Sequence, residues 1–221
     1  MSNVYQIAID GPSGSGKSTL AKGAAKALGI MYLDTGAMYR TCAVCAIKTG
    51  IDSKDTDAVK KMLDEMDLQI RFSDGVQHMI LNGEDVTGII RTPEVSREAS
   101  NISSLPVVRT AMVDMQRKIA ADQSFVVDGR DIGSVVLPNA KYKFFLTASP
   151  EARAERRCLE LKEKGTPQDY EDVLKDIIWR DKQDSERAAS PLIKVDDAVE
   201  IDTSKIGIQE TLDLLLSYIK E

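Results

Sequence analysis

Gly11-Pro12-Ser13-Gly14-Ser15-Gly16-Lys17-Ser18 is the stretch that decides the fold of this 221-residue chain. It fits G-x-x-x-x-G-K-[ST] in full, and its setting matters more than the string. Val4 to Asp10 is an apolar, strand-like run, and Thr19 to Leu28 is a helical pattern that stops at Gly29. Strand, loop and helix in that order are the confirming context for a phosphate loop. Glycines let backbone N–H groups converge on phosphate oxygens, and the helix N-terminus adds its dipole. Gly11 to Thr19 therefore suit the phosphates of a nucleoside triphosphate, with Lys17 reaching the β- and γ-phosphates and the Ser18 hydroxyl placed for Mg²⁺. A chance Gly/Ser-rich turn is the competing reading, and the match at the right junction leaves it little room.

Working outward, β-rich runs recur at Met31 to Asp34, Phe125 to Asp128, Lys143 to Thr147 and Ala198 to Asp202, with helical patterns between most of them. This spacing predicts an α/β fold, a five-stranded parallel sheet flanked by helices. The last helix, Ile208 to Lys220, carries Leu212, Leu215, Leu216 and Ile219 as a packing stripe. From Leu68 to about Arg91 the period changes to two, and Asp74-Gly75 and Asn82-Gly83 supply tight-turn signals. A small antiparallel β insert is expected there, followed by helices starting at Thr92-Pro93 and near Pro106. The core is expected over about 1–62 and 122–221, with the insert over about 63–121.

Arginines narrow the chemistry. Arg40 follows the second strand and Arg130 the third, both at the strand ends that face the ligand crevice of an open parallel sheet. Together they suit a clamp on a second phosphate. Arg153, Arg156 and Arg157 share one face of the helix begun by Ser149-Pro150-Glu151. The next helix has Val173, Ile177 and Ile178 as a core stripe that continues as Arg180, Asp184 and Arg187, as expected of a helix leaving the core to line a cleft. A solvated charged surface is the bland alternative for each arginine alone; convergence of all of them is not. Two anion sites describe phosphoryl transfer. A phosphate acceptor is already anionic near neutral pH, so no general base is needed, and a chain with His78 as its one histidine suffices.

Ile9-Asp10-Gly11 through Ser18, Leu33-Asp34-Thr35-Gly36-Ala37-Met38-Tyr39-Arg40, Asp128-Gly129-Arg130-Asp131-Ile132-Gly133 and Arg180 through Leu192 together resemble the bacterial cytidylate kinases of the P-loop nucleoside monophosphate kinases, essentially end to end. The resemblance implies ATP- and Mg²⁺-dependent phosphorylation of CMP and dCMP. It implies Thr35, Arg40, Ser100, Arg109, Arg130, Asp131, Arg180, Asp184 and Arg187 as the acceptor site. Ser100, Arg109 and Asp131 belong with the cytosine, Asp184 with the ribose, and Arg40 and Arg130 with the phosphate. Residues about 153–167 would form a mobile lid, with Lys17, Arg130, Arg153 and Arg157 as the catalytic cations. Thr35 stands where serine is common and Ser18 where glycine is common; both substitutions keep or add a hydroxyl.

Other readings are set against these. Adenylate, uridylate and shikimate kinases share the loop but differ from the insert with Ser100 and Arg109 and from the Asp128 to Asp131 turn. A nucleotide-switched binding protein of the GTPase kind would carry Asn-Lys-x-Asp, which this sequence lacks. A net charge of -6 argues against a nucleic-acid coat protein. No run approaches the ~18 apolar residues of a membrane span, and the opening Met1 to Gln6 leaves no room for a signal peptide. The expectation is a cytoplasmic protein, monomeric because no exposed apolar stripe stands out. Cys42 and Cys45 read as buried thiols of an apolar helix rather than as a metal or redox pair.

Overall fold

Strand and helix alternate from the start of the computed structural model, which describes residues 4–73 and 75–219. The first half contains β1 (Gln6–Asp10), α1 (Lys17–Leu28), β2 (Met31–Asp34), α2 (Thr35–Thr49), α3 (Thr56–Glu65), β3 (Leu68–Ser73), β4 (Val76–Leu81) and β5 (Glu84–Asp85). Then come α4 (Pro93–Ile102), α5 (Pro106–Ile119), β6 (Phe125–Gly129), a single π-type turn (Ile132–Val136) and β7 (Tyr142–Thr147). The chain continues through α6 (Pro150–Glu163), α7 (Tyr170–Glu186), β8 (Val199–Asp202) and α8 (Ile208–Tyr218).

The larger sheet runs β2-β6-β1-β7-β8, and every pairing is parallel. Its register sets Asp34 beside Asp128 and Asp10 beside Gly129. The C-terminal edge of three neighbouring strands is therefore lined with carboxylates, next to the loop that leaves β1. Successive residues face opposite ways along a strand. Ala8, Leu33 and Val127 accordingly join the core with α2 and α5, while Ile7, Ile9 and Val126 join the core with α1 and α8. Burial on both faces explains why these strands read as continuous apolar runs.

The expected antiparallel insert is present as the sheet β3-β4-β5. Asn82 and Gly83 turn its second hairpin at φ 51° and 85°, the backbone that Asn-Gly favours; Asp74, in the first turn, lies outside the described residues. Pairing ends at Asp85, short of the expected Arg91. The insert does not build a core of its own. Leu68, Met79 and Leu81 bury with Met38, Cys42 and Met112 of α2 and α5 in one apolar cluster. Cys42 and Cys45 are buried free thiols, as expected.

Two helix readings change. Val173 and Ile177 of α7 pack with Ala154 and Leu161 of α6, but Ile178 is 51% exposed. Val173 and Ile177 stack at i and i+4, and the next position in that stripe is Asp181, leaving Ile178 about 100° around the helix. In α8, Leu215 is fully buried while Leu212, Leu216 and, just past the helix end, Ile219 pack at its margin; Lys220 lies outside the described residues. No helix among the described residues is long and apolar enough to cross a membrane.

Candidate active site

Asp10 ends β1, and the chain must then turn at once beneath β7. At Gly11 a β-carbon would stand 2.1 Å from the Leu146 carbonyl oxygen, and φ is +152°, so no side chain fits. The loop that follows wraps back so that Lys17, at the first position of α1, is buried with its Nζ donating to the Pro12 carbonyl at 3.0 Å. Burial, then the neighbouring Arg130, pulls Lys17 down to about 7. An ammonium so poorly solvated beside another cation is suited to an anionic ligand.

Next to Lys17, the Ser18 hydroxyl donates to Asp128 Oδ2 at 2.7 Å, and the Tyr32 hydroxyl donates to Asp128 Oδ1 at 2.8 Å. Burial and the adjacent Asp34 push the Asp128 carboxyl above its usual range. A hydroxyl hydrogen-bonded to a carboxylate offers hard oxygen donors of the kind Mg²⁺ takes. Among the described residues there is no group of three or more His, Cys, Asp or Glu able to hold a metal ion. Ser18 and Asp128 bring two hard oxygen donors together. Thr35, buried at the start of α2, donates its hydroxyl to the Asp128 carbonyl at 2.7 Å.

Beyond Arg130 runs a chain of alternating charges. Arg130 Nε donates to Asp184 Oδ2 at 2.7 Å; Asp184 Oδ1 lies 3.6 Å from Arg187 Nη1; Asp131 Oδ1 lies 3.8 Å from Arg187 Nη2. The other Asp131 oxygen pairs with Arg109, whose guanidinium also stacks 5.4 Å from the Tyr39 ring centroid and donates from Nη1 to the Ser103 carbonyl at 3.3 Å. Ser100 sits one turn before that carbonyl on α4, and the Ser100 carbonyl accepts the Ser103 hydroxyl at 3.2 Å. Despite burial, Arg130 and Arg187 hold Asp184 below the usual carboxylate range.

Cations outnumber anions in this cleft. Burial lowers Arg40, and Arg91, Arg130 and Arg180 lower it further; burial and then the repulsion of Arg157 and Arg130 outweigh Asp176 to lower Arg180. Arg40 Nε, Arg109 Nε and Arg187 Nη2 are buried without a hydrogen-bond partner. Buried donors left unpaired are rare and point to a ligand. The sequence-based site residues Lys17, Ser18, Thr35, Arg40, Arg109, Arg130, Asp131, Arg180, Asp184 and Arg187 thus meet in one cleft.

The helix α6 arginines separate in role. Arg153, placed by sequence in a mobile lid, is instead a buried strut: its Nε donates to the Ala148 carbonyl at 2.9 Å, Nη1 to the Ser13 carbonyl at 3.1 Å, and both terminal nitrogens to Asp181. Four of the five N–H groups of its guanidinium are engaged in these bonds. Arg156 is tied to Thr203, whose hydroxyl in turn donates to the Ser15 carbonyl at 3.1 Å. Among the described residues Arg157 pairs along its own helix, with Glu160 at 2.8 Å, and is about a third exposed. We expect Arg153→Ala to destabilise the fold by about 1–3 kcal/mol, because the Ala148 and Ser13 carbonyls and the partly exposed Asp181 lose their donor. Arg157→Ala should leave thermal unfolding nearly unchanged and lower turnover; melting curves beside initial rates for both variants check the contrast.

Sequence reasoning missed three holders of the site. Gln77 of β4 clasps the end of β2, accepting from Asp34 N at 2.8 Å and donating to its carbonyl at 3.2 Å. Arg91 donates to Asp34 Oδ2 at 2.6 Å. Tyr32 orients Asp128 as described. Each is a long-range contact of an ordinary-looking residue, and no local pattern marks it.

Known proteins resemble this chain along nearly its whole length. The family model described as "Cytidylate kinase" matches residues 7–221. A cytidylate kinase of Shouchella clausii is 46% identical over 221 residues, covering 100% of this chain and 98% of that one. A cytidylate kinase of Thermosipho melanesiensis is 49% identical over 216 residues, covering 98% and 97%. Among solved structures, an uncharacterized protein from Eubacterium ventriosum shares the fold at a TM-score of 0.53 and 16% identity, over 97% of this chain and 98% of that one.

Proposed function

This chain belongs to the cytidylate kinase family, and from that membership we propose that it transfers the terminal phosphoryl group of ATP to CMP and dCMP, yielding ADP with CDP or dCDP. The observation that carries the proposal is the pairing of two anion receptors across one edge of the sheet. Buried Lys17 supplies the cation of one receptor, and Arg40, whose buried Nε has no partner, supplies the other together with Arg130. A switch or a simple hydrolase has no use for the second receptor.

Residues of this chain would divide the work as follows. Gly11 to Thr19 bind the triphosphate, and Lys17 follows the charge that moves with the transferred group. Arg40 and Arg130 bind the acceptor phosphate, with Arg180 beside them. The acceptor oxygen attacks in line with the leaving ADP oxygen as an anion, so no proton need be removed by a side chain. Arg157, unlike Arg153, is free to reach the transferring phosphoryl group when α6 and α7 close as a lid that excludes water. Asp131 and Arg109, with Ser100, present an acceptor and donors to the cytosine edge, whose amino group sits beside a ring-nitrogen acceptor. Arg187 links that base site to Asp184, placed for the ribose hydroxyls. Ser18 and Asp128 would hold Mg²⁺, which when bound neutralises phosphate charge. Insert (63–121), core and lid (153–167) would move relative to one another as substrates bind, with Arg153 as the strut at the lid's anchored end. The enzyme works as a cytoplasmic monomer on free nucleotides, with no polymer or membrane partner.

Product analysis tests the proposal. With Mg-ATP and CMP, CDP and ADP should form in equal amounts, and ADP without CMP should stay at background. ADP released equally with or without CMP would make the protein a hydrolase and refute transfer.

A further inference from the structure

Asp10 fastens both ends of the turn that carries Arg130 and Asp131. In the β1–β6 ladder Asp10 is the register partner of Gly129, the residue before Arg130. Its side chain then spans the turn: Oδ1 accepts from Ile132 N at 2.8 Å and Oδ2 from Gly133 N at 2.7 Å. These amides open the π-type turn, where N–H groups lack partners within their own helix. A β-carbon at Gly133 would lie 3.3 Å from Oδ2 and 3.2 Å from Lys143, so the close approach of the amide to the carboxylate suits glycine. Asp10 is 6% exposed. Burial pushes its carboxyl up to about 6, with Asp131 adding repulsion and the two amides and Lys17 opposing. A charge kept at that depth is held by its hydrogen bonds and not by solvent.

The two residues bracketed between these attachment points send their side chains to different partners, Arg130 to Asp184 and Asp131 to Arg109 and Arg187. We propose that Asp10 is a positioning residue for the acceptor nucleotide: it fixes the Arg130–Asp131 turn in the geometry that reads phosphate and base together. Because Gly11 follows it directly, the same residue ties that turn to the first residue of the phosphate loop. The inference rests on the reading of this chain as a CMP kinase that uses Arg130 and Asp131 for the acceptor.

The test is a steady-state comparison of the full chain with Asp10→Asn, which keeps the volume and turns one accepting oxygen into a donor facing an N–H. The parent is assayed first with CMP and UMP. Asp10→Asn is expected to raise KM for CMP about 10- to 100-fold, to change KM for ATP less than about threefold, and to shrink the preference for CMP over UMP. Asp10→Glu, which keeps the charge but overreaches by a methylene, should show the same split and serves if the Asn variant does not fold. Equal rises in both KM values would make Asp10 a general prop of the phosphate loop and overturn the proposal, as would an unchanged KM for CMP. Failure of both variants to fold would do the same, making Asp10 a residue of the fold. A parent inactive on CMP would overturn the functional reading itself and this inference with it, whereas an active parent with an indifferent Asp10 would sink this inference alone.

Discussion

Lys17→Ala is expected to abolish turnover while leaving the protein at least as stable as the parent. Lys17 is 7% exposed, and the one hydrogen bond recorded for its Nζ goes to a loop carbonyl. Its charge therefore serves a ligand, and losing it should lower kcat by about 10³-fold or more, the range seen when one preorganised charge is removed from a phosphoryl or oxyanion site. The stability side follows from titration. Lys17 lies near 7 in the fold against an ordinary 10.5, so between those values the unfolded chain binds more protons than the folded one. Stability of the parent should thus rise with pH across that window through this group, and the variant should lack that rise. Initial rates with melting curves at pH 7 and pH 9 check both halves. A Lys17→Ala protein with near-normal turnover would contradict the role assigned to the loop; one that melts far lower at both pH values would make Lys17 a structural residue.

Asp131→Ala is expected to fail in two ways at once. Asp131 and Arg109 are 5% and 4% exposed in their side chains, and Arg187, on the other Asp131 oxygen, is 7% exposed. Removing the carboxylate leaves two buried guanidiniums without their shared anion, which should destabilise the fold by about 3–5 kcal/mol. The surviving protein should lose its preference for cytosine, because the acceptor that would meet the exocyclic amino group is gone; a lost polar partner in a base- or substrate-reading site costs about 1–3 kcal/mol of discrimination. Denaturant unfolding gives the first effect and the ratio of kcat/KM for CMP and UMP the second. Unchanged discrimination in a folded variant would remove Asp131 from base recognition.

The parts of this architecture written in local pattern were legible before any coordinates. The phosphate loop announces itself because glycine spacing, the preceding strand and the following helix are contiguous. The arginines after β2 and β6 were legible because strand ends in a parallel sheet face one crevice. The insert was legible as a change of period from 3.6 to 2.

What escaped was whatever depends on side chains meeting across the chain. Arg153 and Arg157 look alike on a helical wheel, yet Asp181 of α7 and the Ser13 carbonyl claim the first and leave the second free. Asp10 reads as the polar end of a strand, and only the β1–β6 register reveals which amides it reaches. Ile178 reads as core because three apolar residues fall close together, although the helix places one of them outside. Local sequence gives the residue types a site needs; tertiary pairing decides which copy of a type does the work.

The central claim is that two anion receptors in one cleft serve a triphosphate donor and a cytidine monophosphate acceptor. The most direct measurement is ADP production from Mg-ATP with CMP, dCMP, UMP, AMP and no acceptor, run side by side under one condition. Fast turnover confined mainly to CMP and dCMP is the predicted result. Turnover that is no faster with any of these acceptors than without one would contradict it.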